Sequence, residues 1–215
     1  MPSVDSETRY EVKLGWTYAT SMLVSFSVSN FLSFSSEETF SLVASDRSAG
    51  THEEHTVPIP DSDRKVLRVA VLYGANGAGK SNLFKALRFL KSIATEARAK
   101  SNGTGRKPFR FGDWPKKPTE FDLQFIAGGK LYRFGLKIDD QRILEEWLVQ
   151  VVGGREQPLY ERTTDVIGEV GIEFGEGLGH ADERLRALSK VGGRKISRFL
   201  PQSPLYCLPR TPVLN

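Results

Sequence analysis

An α/β fold is what the sequence predicts, and three features predict it. A nearly continuous apolar run, residues 66–73 (VLRVAVLY), leads straight into a glycine-rich loop and then a helical pattern. Ahead of it, residues 22–34 largely alternate apolar and polar positions, and behind it several short apolar runs follow between residues 121 and 174. A strand buried on both faces reads as a continuous apolar run, whereas a half-exposed antiparallel strand reads as alternation. The expectation is a core strand–loop–helix unit joined to an antiparallel β-subdomain.

Composition sets the outer limits. The 215 residues, 39% of them hydrophobic, suit one domain or one large fragment of a bigger domain. A formal net charge of +4 is compatible with nucleic acid without arguing for it. The single cysteine, Cys207, excludes an intrachain disulfide and points to a reducing cytoplasm. No apolar run approaches the roughly 20 residues a membrane helix needs, so no membrane partner is expected. The polar, acidic start of the chain lacks the apolar core of a secretory signal.

The elements follow in chain order. Residues 1–21 show no clear periodicity and read as an N-terminal extension; an upstream start codon, with Met22 the biological start, is one account of it. In MLVSFSVSNFLSF, Leu23, Phe26, Val28, Phe31 and Phe34 stand among serines, which is strand patterning. A second strand over 38–44 follows the polar break at 35–37, so the pair should form a hairpin. Residues 45–65, polar and carrying Pro58 and Pro60, read as a surface loop. Residues 66–73 read as the buried central strand. Leu83, Leu87, Leu90 and Ile93 at helical spacing predict a helix over 81–94. Residues 96–118, polar and basic with Gly103, Gly105 and Pro108, read as a mobile loop. A meander over 119–175 is expected, with strands at 121–126, 131–138, 143–152, 159–162 and 171–174. Gly128-Gly129 and Asp139-Asp140 supply its turns. Residues 182–190 read as a short helix, and the proline-bearing tail, 201–215, as irregular.

The chemistry sits in LYGANGAGKSN. Gly74 to Ser81 spell G-x-x-x-x-G-K-S, the phosphate-binding loop, here between an apolar run and a helix as that motif requires. Gly74, Gly77 and Gly79 would let the backbone approach phosphates without Cβ clashes. Backbone N–H groups from Asn76 through Ala78 to Ser81 would form an anion nest, with the helix dipole behind it. Lys80 would reach the β- and γ-phosphates. The Ser81 hydroxyl would coordinate Mg²⁺, and Asn82 would hydrogen-bond near the α-phosphate. ATP with Mg²⁺ is the expected ligand; the sequence has no N/T-K-x-D segment to read guanine, which weakens a GTPase reading.

Hydrolysis needs a second carboxylate on Mg²⁺ and a group to orient water. The available acids do not suit. Asp139-Asp140 end an alternating strand and read as a turn, while Glu145-Glu146 are expected to face solvent. No Walker B acid stands out, so the sequence leaves enzymatic activity open and names no catalytic residue.

Residues 22–34, the strand ETFSLVAS and VLRVAVLYGANGAGKSNLFKAL resemble the N-terminal half of SMC/RecF-like ATPases of the ABC superfamily. They are most similar to the bacterial AAA-family ATP-binding proteins of abortive infection and other anti-phage systems, such as the RloC and OLD-like groups. EFDLQFIAGGKLYRFGLKIDDQRILEEWLV is similar to the meander of that family. The resemblance covers about residues 22–200. It implies a partial ABC-type head that binds and, in the intact family member, hydrolyses ATP. It also implies a head-to-tail homodimer or a separate chain completing the site, and an effector nuclease or nucleic acid as partner. Family members bring an LSGGQ-like signature, a Walker B Asp-Glu pair and a switch histidine. Leu188–Gly193 (LSKVGG) carries two extra residues, and His180 follows no acidic strand, so neither fills those roles. The alternative is a truncated or split module that binds nucleotide without cleaving it. The resemblance further places Asn30 and Phe31 near the nucleotide, while alternation equally makes Phe31 a core residue.

Three weaker constellations remain. His52-x-x-His55 lacks a third ligand and does not argue for metal. Arg98, Lys100, Arg106, Lys107, Arg110, Lys116 and Lys117 interleave with Phe109, Phe111 and Trp114. That mixture suits nucleic acid, but a solvated insertion is the favoured reading. The same holds for Arg194, Lys195 and Arg198.

Overall fold

The phenylalanines of β1 (Met22–Ser29) decide where the sheet meets its helix. Phe26 and Val28 alternate with serines, so one face of the strand is apolar and buried. The computed structural model describes residues 21–45, 53–95 and 103–176. β1 lies second in a seven-stranded sheet, between the strands at residues 38–41 and 119–127, and the strands at 130–138, 143–152, 155–164 and 170–174 follow in order. Every pairing in it is antiparallel. β2 (Glu38–Ser41) closes the expected hairpin, with Phe40 opposite Phe26.

The expected meander is present as β5 (Thr119–Ala127), β6 (Lys130–Ile138), β7 (Ile143–Val152), β8 (Arg155–Thr164) and β9 (Val170–Phe174). Gly128 and Gly129 turn β5 into β6 with φ of 56° and 74°, where a side chain would be strained. One glycine serves contact rather than conformation. Gly135 faces Trp147 across the β6–β7 pair, and a Cβ there would sit 1.8 Å from the indole ring.

α1 (Lys80–Thr95) covers the apolar face of this sheet. Ala86 and Leu90 are buried, and Phe89 meets Phe31 and Phe121 at ring-centroid distances of 5.2 and 5.8 Å. Phe31 and Phe121 close the triangle at 5.5 Å. Such pairs contribute about 0.5–1.5 kcal/mol each beyond the area they bury. A second, smaller cluster gathers Val24, Ile59, Val66 and Ile126. No helix among the described residues is long and apolar enough to cross a membrane.

Three expectations are corrected. Residues 45–65 are not all loop: β3 (Thr56–Pro58) and β4 (Lys65–Leu67) form a small antiparallel hairpin. Apolar Val57 and Val66 are register partners there, a signal that the surrounding polar residues hid. Second, the run 66–73 is not a buried central strand. Only its first two residues belong to β4, and Val69, Val71 and Tyr73 are 73, 79 and 91% exposed. Its apolar composition has the form of a sheet interior, but no described strand lies beside it to bury it.

Third, the described part of the basic segment, residues 103–118, is bound rather than mobile. Asn30, buried with φ 50°, directs its Nδ2 at the carbonyls of Trp114, Lys117 and Pro118 at 2.7, 2.7 and 3.0 Å. Its Oδ1 accepts the Phe109 N–H at 3.0 Å. Arg106, 8% exposed, donates to Asp140 at 2.7 Å, to the Pro115 carbonyl at 2.8 Å and to the Lys117 carbonyl. A buried guanidinium with its donors paired acts as a fastener, so this cation is not available to nucleic acid.

Two stability outcomes are expected. Asn30→Ala removes the bonds to three carbonyls and one N–H and should lower unfolding free energy by about 3 kcal/mol, read by urea unfolding; an unchanged midpoint would refute the role of Asn30. Val71→Lys should shift the same measurement by no more than about 0.5 kcal/mol, since the side chain is exposed. A larger loss would mean that the run is covered.

Candidate functional site

The site is built where the exposed run enters α1. Gly77 and Gly79 take φ of 86° and 88°, which L side chains rarely adopt. The loop turns tightly enough for the Ala78 N–H to reach the Ala75 carbonyl at 3.2 Å. α1 then begins with the Asn82 and Leu83 N–H groups both on the Gly79 carbonyl, at 2.8 and 3.1 Å. A helix N-terminus presents N–H groups and the positive end of its dipole, the arrangement an anion needs.

Lys80 shows how the loop is poised. Its Nζ donates to the Gly74 and Ala75 carbonyls at 2.7 and 2.8 Å, folding the ammonium back over its own loop. Two neutral carbonyl dipoles compensate a full charge weakly. A polyphosphate would offer charge-assisted bonds about twice as strong as neutral ones. The ammonium is therefore held close to where it would be used.

The loop is backed by the β1–β2 connection. Asn82 Nδ2 donates to Ser33 Oγ at 2.9 Å, and Lys85 donates to Asn82 Oδ1 at 3.3 Å. A Cβ on Gly79 would meet Ser33 Oγ at 3.4 Å and the Phe34 ring at 3.8 Å. An open cavity of about 250 Å³ is lined by Asn76, Gly77, Ala78, Gly79, Lys80, Ser81 and Asn82. Another, of about 380 Å³, is lined by Gly77–Gly79 together with Ser33, Phe34, Ser35 and Glu38. Sequence reasoning missed Ser33, Phe34 and Glu38; the signal was the serine-rich break after a strand.

Asn30 and Phe31 do not join this site. Phe31 is 2% exposed among Phe89 and Phe121, and Asn30 is committed to the 103–118 segment. The core alternative for Phe31 therefore holds, and its ring offers no open face on which a base could stack. The next residues of the same connection, Leu32 to Ser35, take the place beside the loop instead.

The acids of the meander are engaged elsewhere. Asp139 Oδ1 accepts the Gln141 and Arg142 N–H groups, both at 2.7 Å, which makes it a turn residue, and Asp140 holds Arg106. Glu145 lies 3.3 Å from Lys137. Glu146 is not simply solvated: it accepts from Tyr160 Oη at 2.7 Å, and burial together with the Glu146 charge holds that phenol well above its usual pKa.

His55 is exposed beside Glu54, and among the described residues no group of three or more metal-binding side chains gathers. His52, Arg98, Lys100, His180, residues 188–193, Arg194, Lys195, Arg198 and Cys207 lie outside the described residues, as do residues 1–20, the expected helix at 182–190 and the tail.

A family model described as "AAA domain, putative AbiEii toxin, Type IV TA system" matches residues 69–165. The match begins in the exposed run and takes in the loop, α1, the pinned segment and the meander through β8, a little under half of the chain. No curated protein matches the chain. The matched stretch is similar to AAA-type P-loop ATPase domains, a class that binds nucleotide, and the antiparallel sheet covered by α1 is compatible with an α/β P-loop fold.

Gly79→Ala tests the loop geometry. Forcing a side chain into positive φ against Ser33 should cost about 1–2 kcal/mol of stability and weaken triphosphate binding. Titration calorimetry showing wild-type affinity would count against this loop conformation.

Proposed function

We propose that this chain is a nucleoside-triphosphate-binding P-loop protein that takes ATP with Mg²⁺ at residues 74–82. The observation that carries the reading is the G-x-x-x-x-G-K-S loop at the head of α1, with Lys80 folded over it, inside the stretch similar to AAA domains. Gly74, Asn76, Gly77, Ala78, Gly79 and Lys80 would cradle the phosphates. Ser81 would supply one oxygen to Mg²⁺, and Asn82, already tied to Ser33, would position the α-phosphate side.

The finer reading is a partial ABC-type head of the SMC/RecF-like kind, working in phage defence in the cytoplasm; the toxin-system wording of the matched family supports it by analogy alone. A further chain would bring the hydrolytic acid, either in a head-to-tail homodimer or as a separate protein. The exposed Val69, Val71, Leu72 and Tyr73 support such a partner, because contiguous apolar surface next to a ligand site is an interaction surface more often than bare solvent boundary. An effector nuclease or nucleic acid fits the same biology.

One observation favours a second reading, a binding module that does not cleave its nucleotide: Asp139, Asp140, Glu145 and Glu146 are all engaged within the meander or its flank.

Binding of Mg²⁺-ATP to the purified chain, followed by calorimetry, should fall at least about a hundredfold in Lys80→Ala, which removes a charge-assisted contact to two phosphates. Equal binding by the variant would sink the phosphate-loop reading. Steady Mg²⁺-dependent phosphate release, absent in Lys80→Ala, would overturn the binding-only reading.

A further inference from the structure

A groove beside the loop has a chemistry of its own. It is open, about 900 Å³, and is lined by Leu32, Ser33 and Asn82 on the loop side and by Lys107 through Phe111 on the other. That volume is within the range of small-molecule clefts. We propose that this groove seats the base and sugar of the nucleotide whose phosphates occupy residues 74–81, with Phe111 as the stacking face and Lys107 and Arg110 as flanking cations. The proposal rests on the nucleotide-binding reading above and adds to it where the rest of the ligand lies.

Continuity comes first. Asn82 lines both this groove and the cavity over residues 76–82, while Ser33 lines both the groove and the cavity over Gly77–Gly79. One ligand with an anionic end and a flat end can therefore occupy loop and groove together.

The surface chemistry comes second. Phe111 is 73% exposed, and its described aromatic neighbour, Phe109, meets it edge-on at 5.5 Å and 62°. An exposed phenylalanine buries little of its own apolar area, so a flat ring laid on it removes that area from water. Lys107 and Arg110 are exposed on the same segment and complement a ligand that carries several negative charges.

Rigidity comes third. The Leu32 N–H donates to the Lys107 carbonyl at 2.8 Å, and the Phe109 N–H to the Asn30 side-chain Oδ1 at 3.0 Å, so the two walls are fixed to each other by hydrogen bonds. Leu32 itself is held at φ 52°, a conformation costly for a γ-branched side chain and found where the surroundings enforce it. A pre-formed wall loses little entropy when the ligand arrives.

Stacking and cationic contacts recognise any base, because every base has a π-face. The groove should thus hold adenine and guanine nucleotides alike, within about threefold of each other. A single-stranded nucleic acid would use the same features, but it would not need continuity with the phosphate loop.

The test is calorimetry on the full chain with Mg²⁺-ATP, Mg²⁺-GTP, Mg²⁺-tripolyphosphate and a short oligothymidylate. Phe111→Ala should weaken ATP and GTP about tenfold, as the loss of one stacking face predicts, and leave tripolyphosphate unchanged. Phe111→Tyr should restore nucleotide binding. Wild-type ATP binding in Phe111→Ala would overturn the proposal. So would an equal loss of tripolyphosphate, which would mark damage to the loop rather than to the groove. Loss of oligothymidylate binding with ATP unaffected would assign the groove to nucleic acid and overturn it too. If Lys80→Ala binds all three phosphates as wild type does, the nucleotide reading fails and takes the groove with it; if Lys80 matters and Phe111 does not, the groove alone fails.

Discussion

The Asn30 carboxamide is the constraint on which the site depends. It stands just past the end of β1 in the left-handed region, which asparagine tolerates far better than most residues. From there it meets three carbonyls and one N–H of a segment about 80 residues away in sequence. The Lys117 carbonyl also accepts from Arg106 and the Trp114 carbonyl from the Lys117 N–H, while the Phe109 N–H and the Pro118 carbonyl lie in irregular backbone outside any ladder. A buried amide side chain is the substitute. Its effect is to fix the start of the β1–β2 connection. Ser33 then reaches Asn82, Phe34 comes up against Gly79, and the head of α1 has a wall. A side chain that touches no ligand thus sets the shape of the place where one would sit.

The aromatic triangle works from the other side. Phe31 follows Asn30 directly and is driven into Phe89 and Phe121, so the same short turn that spends its polar groups on residues 109–118 spends its ring on the helix and sheet. That division explains why the residue pair implied by the resemblance is unavailable to a nucleotide. It also explains how the helix is held although its N-terminal loop is open. Packing fixes the middle of α1, and hydrogen bonds through Asn82 fix its first turn.

Much of this was legible in the sequence, for physical reasons that differ by element. The meander was readable because apolar residues recurred at strand spacing and glycine or aspartate pairs marked its turns; Asp139 indeed turns the chain with its own side chain. The loop was readable because Gly77 and Gly79 sit where only glycine is comfortable. What stayed hidden was long-range polar pairing. Arg106 in a basic, glycine-bearing stretch has the composition of a solvated loop, and nothing local says that its guanidinium will be buried on Asp140 and two carbonyls. The short β3–β4 hairpin was lost for a similar reason, since its burial rests on Val66 meeting Val24 and Ile126 from distant strands.

The run at 66–73 is the instructive mismatch. Composition reports what environment a segment is suited to, whereas a structure reports the environment it has. Val69, Val71 and Tyr73 are suited to an interior and stand in solvent, while Val66 at the other end of the same run is fully buried. The boundary between the two falls where the pairing with β3 ends. Unburied β-branched side chains just beyond the last paired residue are what a strand leaves when only one of its ends has a partner. It also leads directly into the loop, so whatever covers it would set the backbone from which Gly74 and Ala75 offer their carbonyls to Lys80. The run and the loop share one stretch of backbone, so a strand pairing beside Val71 would act on the two carbonyls that hold Lys80. The affinity of the loop would then depend on that pairing as well as on its own glycines.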